Sequence, residues 1–236
     1  MNKVILNRIT DTIKKTVITV LLIVSVSGFA ACSAAGSRGP ESTETVFGRD
    51  IPGFFVSEVV ISTGTAYGGG TLLDSPSGNG TAYIVSAAHL VRSFGSSSEV
   101  TDAEGNKLHC EAVWMDEAAD IGLLKAEGLS GKVKPAKPVS VLNVPAEITC
   151  LDAEHNALAA GFIAGTGLKT DTSDDLLYLL IDAKEGMSGN GLYDPDGSYC
   201  GMIAGSFDDS GAAGISADKI LTVIGIYEEY KGGDIK

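Results

Sequence analysis

Three side chains far apart in the 236-residue chain have the types needed for acyl transfer: His89, Asp120 and Ser188. Ser188 stands in the run Asp182 to Gly191, DAKEGMSGNG, with glycines at 186 and 189. A serine hydroxyl is a weak nucleophile until a base takes its proton. The negative oxygen created by its attack needs donors, which the backbone N–H groups of a tight glycine-rich turn can supply. His89 closes the run Ser86-Ala87-Ala88-His89; the other two histidines, His109 and His155, lie among polar residues. Asp120 precedes Ile121-Gly122-Leu123-Leu124, a run apolar enough to enter a core. An acid at the mouth of such a strand can be shielded from water, fix a histidine tautomer and stabilise the imidazolium. Asp116 has polar neighbours and is expected to be solvated. Each residue also has a structural reading, as a loop serine, a packed histidine or a strand-end aspartate. The chemistry therefore rests on whether the chain brings the three together.

The elements that would have to do so are strands. Short Val/Ile/Thr/Tyr runs between turn residues, with 30 glycines and 6% aromatics, favour an all-β body. Strands are expected over 54–61, 67–74, 81–85, 146–151, 157–164, 176–182 and 199–205. Gly68 to Gly70 are expected to form a bulge or hairpin turn; a phosphate loop is excluded because no Gly-Lys-Ser/Thr follows. Lys132 to Pro138, KVKPAKP, is awkward inside a central strand and reads as the crossover between two halves, 51–138 and 139–236. Asp218 to Tyr230 has helical spacing, with Ile220, Val223, Ile224 and Tyr227 on one face.

The blocks SAAH at 86–89, DIGLLK at 120–125 and GMSGNG at 186–191 follow the order His, Asp, Ser. They resemble the corresponding blocks of chymotrypsin-fold serine proteases, nearest the bacterial HtrA/Deg branch and the glutamyl endopeptidases. An α/β-hydrolase would have the order Ser, Asp, His and a G-x-S-x-G elbow, which Asn190 breaks. The resemblance spans roughly 52–230. It implies two packed six-stranded antiparallel β-barrels with a C-terminal helix and no PDZ domain. It makes Ser188 the nucleophile and His89 the general base and then the general acid, with Asp120 orienting His89. It also makes the N–H groups of Gly186 and Ser188 the oxyanion hole, and sets Gly205 and the glycine-rich run 210–215 beside the substrate.

Four positions depart from the pattern or leave it open. Met187 stands where zymogen-activated relatives carry an aspartate that pairs with a new amino terminus, so activation by trimming of that kind is not expected. Asn190 replaces a glycine and is a candidate to distort the loop. Ala204 replaces a serine that in many relatives bonds the triad aspartate. Asp182 falls where the base of the P1 pocket is often built, which would favour Arg or Lys, but it could equally match a backbone-bracing aspartate of the HtrA-like pattern. Two function classes follow: a serine endopeptidase acting on proteins or peptides, or a non-catalytic module that binds a peptide on the same scaffold.

The amino-terminal residues read as an address. Four basic residues in Met1 to Lys15 precede the apolar run Val17 to Ala31, which has the proportions of a signal peptide. Phe29-Ala30-Ala31-Cys32 resembles a bacterial lipobox, which implies cleavage before Cys32, lipid on that cysteine, and a membrane-anchored protein outside the cytoplasm. The other readings are a plain secretory signal and an uncleaved anchor. Residues 32–50 read as a flexible tether. Net charge is −13, and about −16 beyond residue 31, which repels phosphate backbones and argues against a nucleic-acid partner. No cofactor is expected, and no CxxC or paired Cys/His spacing marks a zinc site. Cys110, Cys150 and Cys200 allow at most one internal disulfide, with Cys150–Cys200 the pair expected, or three buried thiols.

Overall fold

The computed structural model describes residues 57–78, 80–95, 98–127, 134–153, 157–170, 173–207 and 211–232. The expected signal segment, the tether, Cys32 and His155 lie outside the described residues. Twelve strands and two helices carry the described chain: β1 (Glu58–Ser62), β2 (Tyr67–Asp74), β3 (Ala82–Ala87), α1 (Ala88–Val91), β4 (Glu99–Asp102), β5 (Lys107–Asp116), β6 (Ile121–Glu127), β7 (Ala146–Leu151), β8 (Ala157–Leu168), β9 (Leu176–Leu180), β10 (Gly191–Tyr193), β11 (Tyr199–Phe207), β12 (Gly211–Ser216) and α2 (Ala217–Gly232). They close into two antiparallel barrels, in strand order β1-β2-β3-β6-β5-β4 and β10-β11-β12-β9-β8-β7. This is the all-β, two-barrel architecture with a C-terminal helix that the sequence motifs imply.

Period-two alternation explains how the strands serve two cores at once. On β2, Leu72 faces the first barrel's interior and Leu73 the seam between barrels; on β3, Ile84 faces inward and Tyr83 and Val85 face the seam; on β6, Leu124 faces inward and Ile121 and Leu123 the seam. The second barrel answers across the seam with Leu151, Leu176, Tyr193, Tyr199, Met202 and Ile215. Its own interior holds Ile148, Ile163, Leu177, Leu179, Leu192 and Ile203. Each such side chain contributes about 1.5–3 kcal/mol on burial.

The crossover segment stitches the barrels together as it passes. Ala136 N–H donates to Leu72 O at 2.8 Å, Tyr199 N–H to Lys137 O at 2.8 Å, and Val139 N–H to Tyr199 O at 2.9 Å. Pro135 and Pro138 have no N–H to give, and the segment bonds through the Ala136 N–H and the Lys137 carbonyl.

Two expectations are corrected. Gly68 to Gly70 form neither bulge nor turn but continue regular pairing inside β2, opposite Ile61, Val60 and Val59. Cys150 and Cys200 are free thiols, as is Cys110. Leu192 of β10 pairs with Cys150 on one side and Gly201 on the other, so β7 and β11 are second neighbours. Two inter-strand spacings come to about 10 Å, beyond the Cα separation of about 7 Å that a disulfide can bridge. Burial pushes the Cys110 thiol up to about 11 and that of Cys200 to about 12, so both stay protonated and unreactive.

Helix α2 closes the structure. Lys219 N–H donates to Ser216 Oγ at 3.3 Å as an N-terminal cap. Ile220, Val223, Ile224 and Tyr227 form its buried face. Glu228 accepts from Ser75 Oγ at 2.5 Å and from the Tyr83 hydroxyl at 3.2 Å, which ties the helix to the first barrel. Ile224→Ala should lower unfolding free energy by about 2–5 kcal/mol in urea titrations. Ile226→Ala, at a position 51% exposed on the same helix, should change it by less than about 0.5 kcal/mol.

Candidate active site

The first barrel delivers His89 and Asp120. Strand β3 pairs with β6 from Tyr83↔Lys125 to Ala87↔Ile121, so the chain leaving β3 meets the chain entering β6. Ala87 and Ala88 are fully buried at this junction, which explains the small residues before the histidine. Ala88 N–H donates to Asp120 O at 3.1 Å, and His89 N–H to Asp120 Oδ1 at 3.0 Å. His89 Nδ1 lies 3.1 Å from Oδ1 and 3.0 Å from Oδ2 of the same carboxylate. An ionised carboxylate only accepts, so the hydrogen is on Nδ1 and Nε2 is left as an acceptor. The Asp120 bond holds the imidazole above its ordinary pKa, against partial burial and the nearby Arg92. Asp120 itself has φ 55°, a left-handed conformation that aspartate adopts more readily than most residues. Asp116 shapes the approach to it: its Oδ1 accepts the Ala119 N–H at 2.9 Å, a role its polar sequence neighbours did not reveal.

The second barrel delivers Ser188 on the loop between β9 and β10. Met187 N–H donates to Lys184 O at 3.2 Å, and Gly186 has φ 87° while Glu185 is not among the positive-φ residues. These features define a type II turn, which needs glycine at its third position. A type I turn would reverse the central peptide, so the turn type sets which way the Gly186 N–H faces. Met187 packs in the barrel interior with Ile181, Leu192 and Ile203, and its Sδ lies 3.1 Å from the Lys184 nitrogen. The residue before Ser188 is therefore anchored by packing rather than by an ion pair.

The two deliveries meet across the seam. Gly69 N–H of β2 donates to Ser188 O at 2.9 Å. A Cβ on Gly68 would stand 2.6 Å from Ser188 O, and one on Gly69 would stand 1.8 Å from Asn190 Oδ1. The glycines of β2 therefore permit close approach of the Ser188 loop, a function that sequence reading missed although three glycines inside a strand signalled it. Asn190 is buried, its N–H donates to Met187 O at 3.2 Å and its carbonyl accepts from Ile203 at 3.0 Å. It is accommodated without breaking the loop.

A cleft of about 490 Å3 is lined by His89, Ser188, Gly186, Gly205 and Tyr67, among others. A neighbouring one of about 390 Å3 shares His89, Ala204, Gly205 and Ser206 and adds Asp120, Leu176 and Phe207. Ser188 and His89 thus face one cavity, though no hydrogen bond joins their side chains among the described contacts. Such bonds are often long in free enzymes and tighten when substrate binds. Asp182 is outside this lining. It is solvent-exposed and paired with Lys184 at 3.3 Å, so it does not form the acidic pocket base that its position suggested.

Two closed barrels with histidine and aspartate from one and serine from the other define the chymotrypsin-like class of fold. Residues 62–202 match the trypsin-like peptidase domain, and the chain belongs to that family. The Rv3671c protease from M. tuberculosis in its active form is a similar solved structure, with TM-score 0.60 and 17% identity over 81% of this chain and 92% of that one. Its inactive form gives TM-score 0.58 and 17% identity over 74% and 90%. Deg5 gives TM-score 0.56 and 19% identity over 71% and 87%. At these identities the likeness shows the fold alone. A comparison with curated proteins found no match.

Asp120→Asn should drop the His89 pKa from above the ordinary imidazole value to below it. The raising partner is lost, while burial and Arg92 still act downward. Histidine NMR titration of the two proteins measures this directly.

Proposed function

We propose that the chain is a serine endopeptidase in which Ser188, His89 and Asp120 act as one unit. Ser188 Oγ attacks the scissile carbonyl carbon as His89 Nε2 takes its proton. The C–N bond then breaks and the leaving amine takes that proton from His89. Water repeats the sequence on the acyl-serine, releasing the acid and restoring Ser188. Asp120 keeps the proton on Nδ1 and stabilises the imidazolium. The N–H groups of Gly186 and Ser188 donate to the oxyanion. The observation that carries the reading is that His89, held by two contacts to the Asp120 carboxylate, faces the same cleft as Ser188, with the Gly186 turn already in its type II form.

The substrate is an extended peptide. Residues Gly205 to Phe207 of β11 pair with β12 on one side only, and β10 pairs with β11 no further than Met202. The free edge suits addition of a substrate strand. Asp182 is turned outward and paired with Lys184, so it supplies no preference for Arg or Lys at the bond cleaved. The lipobox-like run Phe29 to Cys32 supports export and lipid anchoring through Cys32, with the folded part held outside the cytoplasm.

A fluorophosphonate probe should label the wild type and leave Ser188→Ala unlabelled. Failure to label well-folded wild type would leave a peptide-binding module instead. Gly186→Ala should lower kcat/KM by about 10²–10³-fold, the usual consequence of losing one oxyanion donor. Cys32→Ala should move the protein from the membrane to the soluble fraction, and mass spectrometry of the wild-type amino terminus should find acylated Cys32.

A further inference from the structure

Glu58 is a buried carboxyl on the seam with no part in the steps above. It lies on β1 of the first barrel and is 1% exposed. Its Oε1 accepts from Thr71 Oγ1 at 2.8 Å and from the Tyr193 hydroxyl, and its Oε2 from the Gly191 N–H at 3.2 Å. Thr71 is its pairing partner on β2. Gly191 and Tyr193 belong to β10 of the other barrel, and Gly191 follows Ser188 by three residues. A Cβ at 191 would stand 2.5 Å from Oε1, so glycine there is what lets the carboxyl reach the amide. Among the described residues no ion pair includes Glu58. The charged group facing it is Asp152, and Cys150, Tyr193 and Tyr199 are the other titratable neighbours. A buried carboxyl without a cation is a costly way to build a purely structural staple.

We propose that Glu58 is a positioning residue for the nucleophile: ionised, it holds the Gly191 amide against the first barrel and so fixes the loop carrying Ser188, and protonated, it lets that loop relax. The catalytic consequence rests on the serine-peptidase reading. As a carboxylate, Glu58 accepts all three donors. Once protonated, it must give its own hydrogen to the Tyr193 or Thr71 oxygen, and the bond from Gly191 loses its charge-assisted strength. Burial pushes the carboxyl up to about 7, opposed by the bonds from Tyr193, Thr71 and Gly191 and helped by Asp152. Both forms are therefore populated near neutral pH, where the loop would respond.

The test compares wild type with Glu58→Gln, which keeps the side-chain shape and cannot ionise. Two readouts are taken against pH: the fluorophosphonate labelling rate, and the ¹⁵N–¹H shifts of the Gly191 and Ser188 amides. Wild type should lose rate toward acid in two ways: protonation of His89 gives a limiting logarithmic slope of about one, and protonation of Glu58 adds a step of about tenfold with midpoint near 7. Glu58→Gln should lack that step and label near the lower level throughout, and the amide titration with midpoint near 7 should vanish from Gly191 and Ser188. Glu58→Ala should label about tenfold or more slowly, the usual cost of one charge-assisted bond. A tenfold step with midpoint near 7 retained in Glu58→Gln, or an unchanged Ser188 amide titration, would overturn the assignment. Absence of any labelling in wild type would refute the peptidase reading instead, while the amide shifts would still decide whether Glu58 governs the loop.

Discussion

Ser188 belongs to the second barrel and the His89–Asp120 pair to the first, so any chemistry between them depends on how the barrels are registered. One hydrogen bond crosses at the critical place, from Gly69 N–H to Ser188 O at 2.9 Å. It forms because two residues of β2 lack side chains where the loop arrives; a Cβ on either would fall within 2.6 Å of an atom of Ser188 or Asn190. The apolar seam supplies the adhesion that makes this contact permanent. Leu73, Val85, Ile121 and Leu123 on one side meet Tyr193, Tyr199, Met202 and Ile215 on the other. Adhesion alone is not directional. The backbone bond and the close approach convert it into a defined separation between the Ser188 loop and His89.

Each half of the site is also prepared within its own barrel. Asp120 meets His89 through three contacts, one to the backbone N–H and two to the ring, so the imidazole orientation is set before substrate arrives. The nucleophile loop is set by its type II turn and by Met187 buried behind it. Met187 thus anchors the loop by packing rather than by an ion pair. In the peptidase we propose, such preorganised donors would cost no rearrangement at the moment charge develops.

Much of this was legible in the residues. The short apolar and β-branched runs that build β3, β7 and β11 were visible, as was the helical face Ile220, Val223, Ile224 and Tyr227 that α2 buries. The pairing of His89 with Asp120 was also expected, because an acid entering an apolar strand has few partners other than a nearby base. What escaped were features set by contacts between distant segments. Gly68 to Gly70 read as a turn because their purpose is defined only by the loop that packs on them. Glu58 gave no signal at all, since a single acid in an apolar run looks like a solvent-facing position until the second barrel covers it. Asp182 misled because its spacing from Ser188 fixed its place along the chain but not the side to which its carboxylate turned.

The most direct measurement is a crystal structure of the protein after reaction with a fluorophosphonate. The account predicts phosphorus bonded to Ser188 Oγ, its oxygen accepting from the N–H groups of both Gly186 and Ser188, and His89 Nε2 within hydrogen-bond reach of the adduct. Phosphorus on another residue, or an adduct oxygen turned away from both amides, would contradict it.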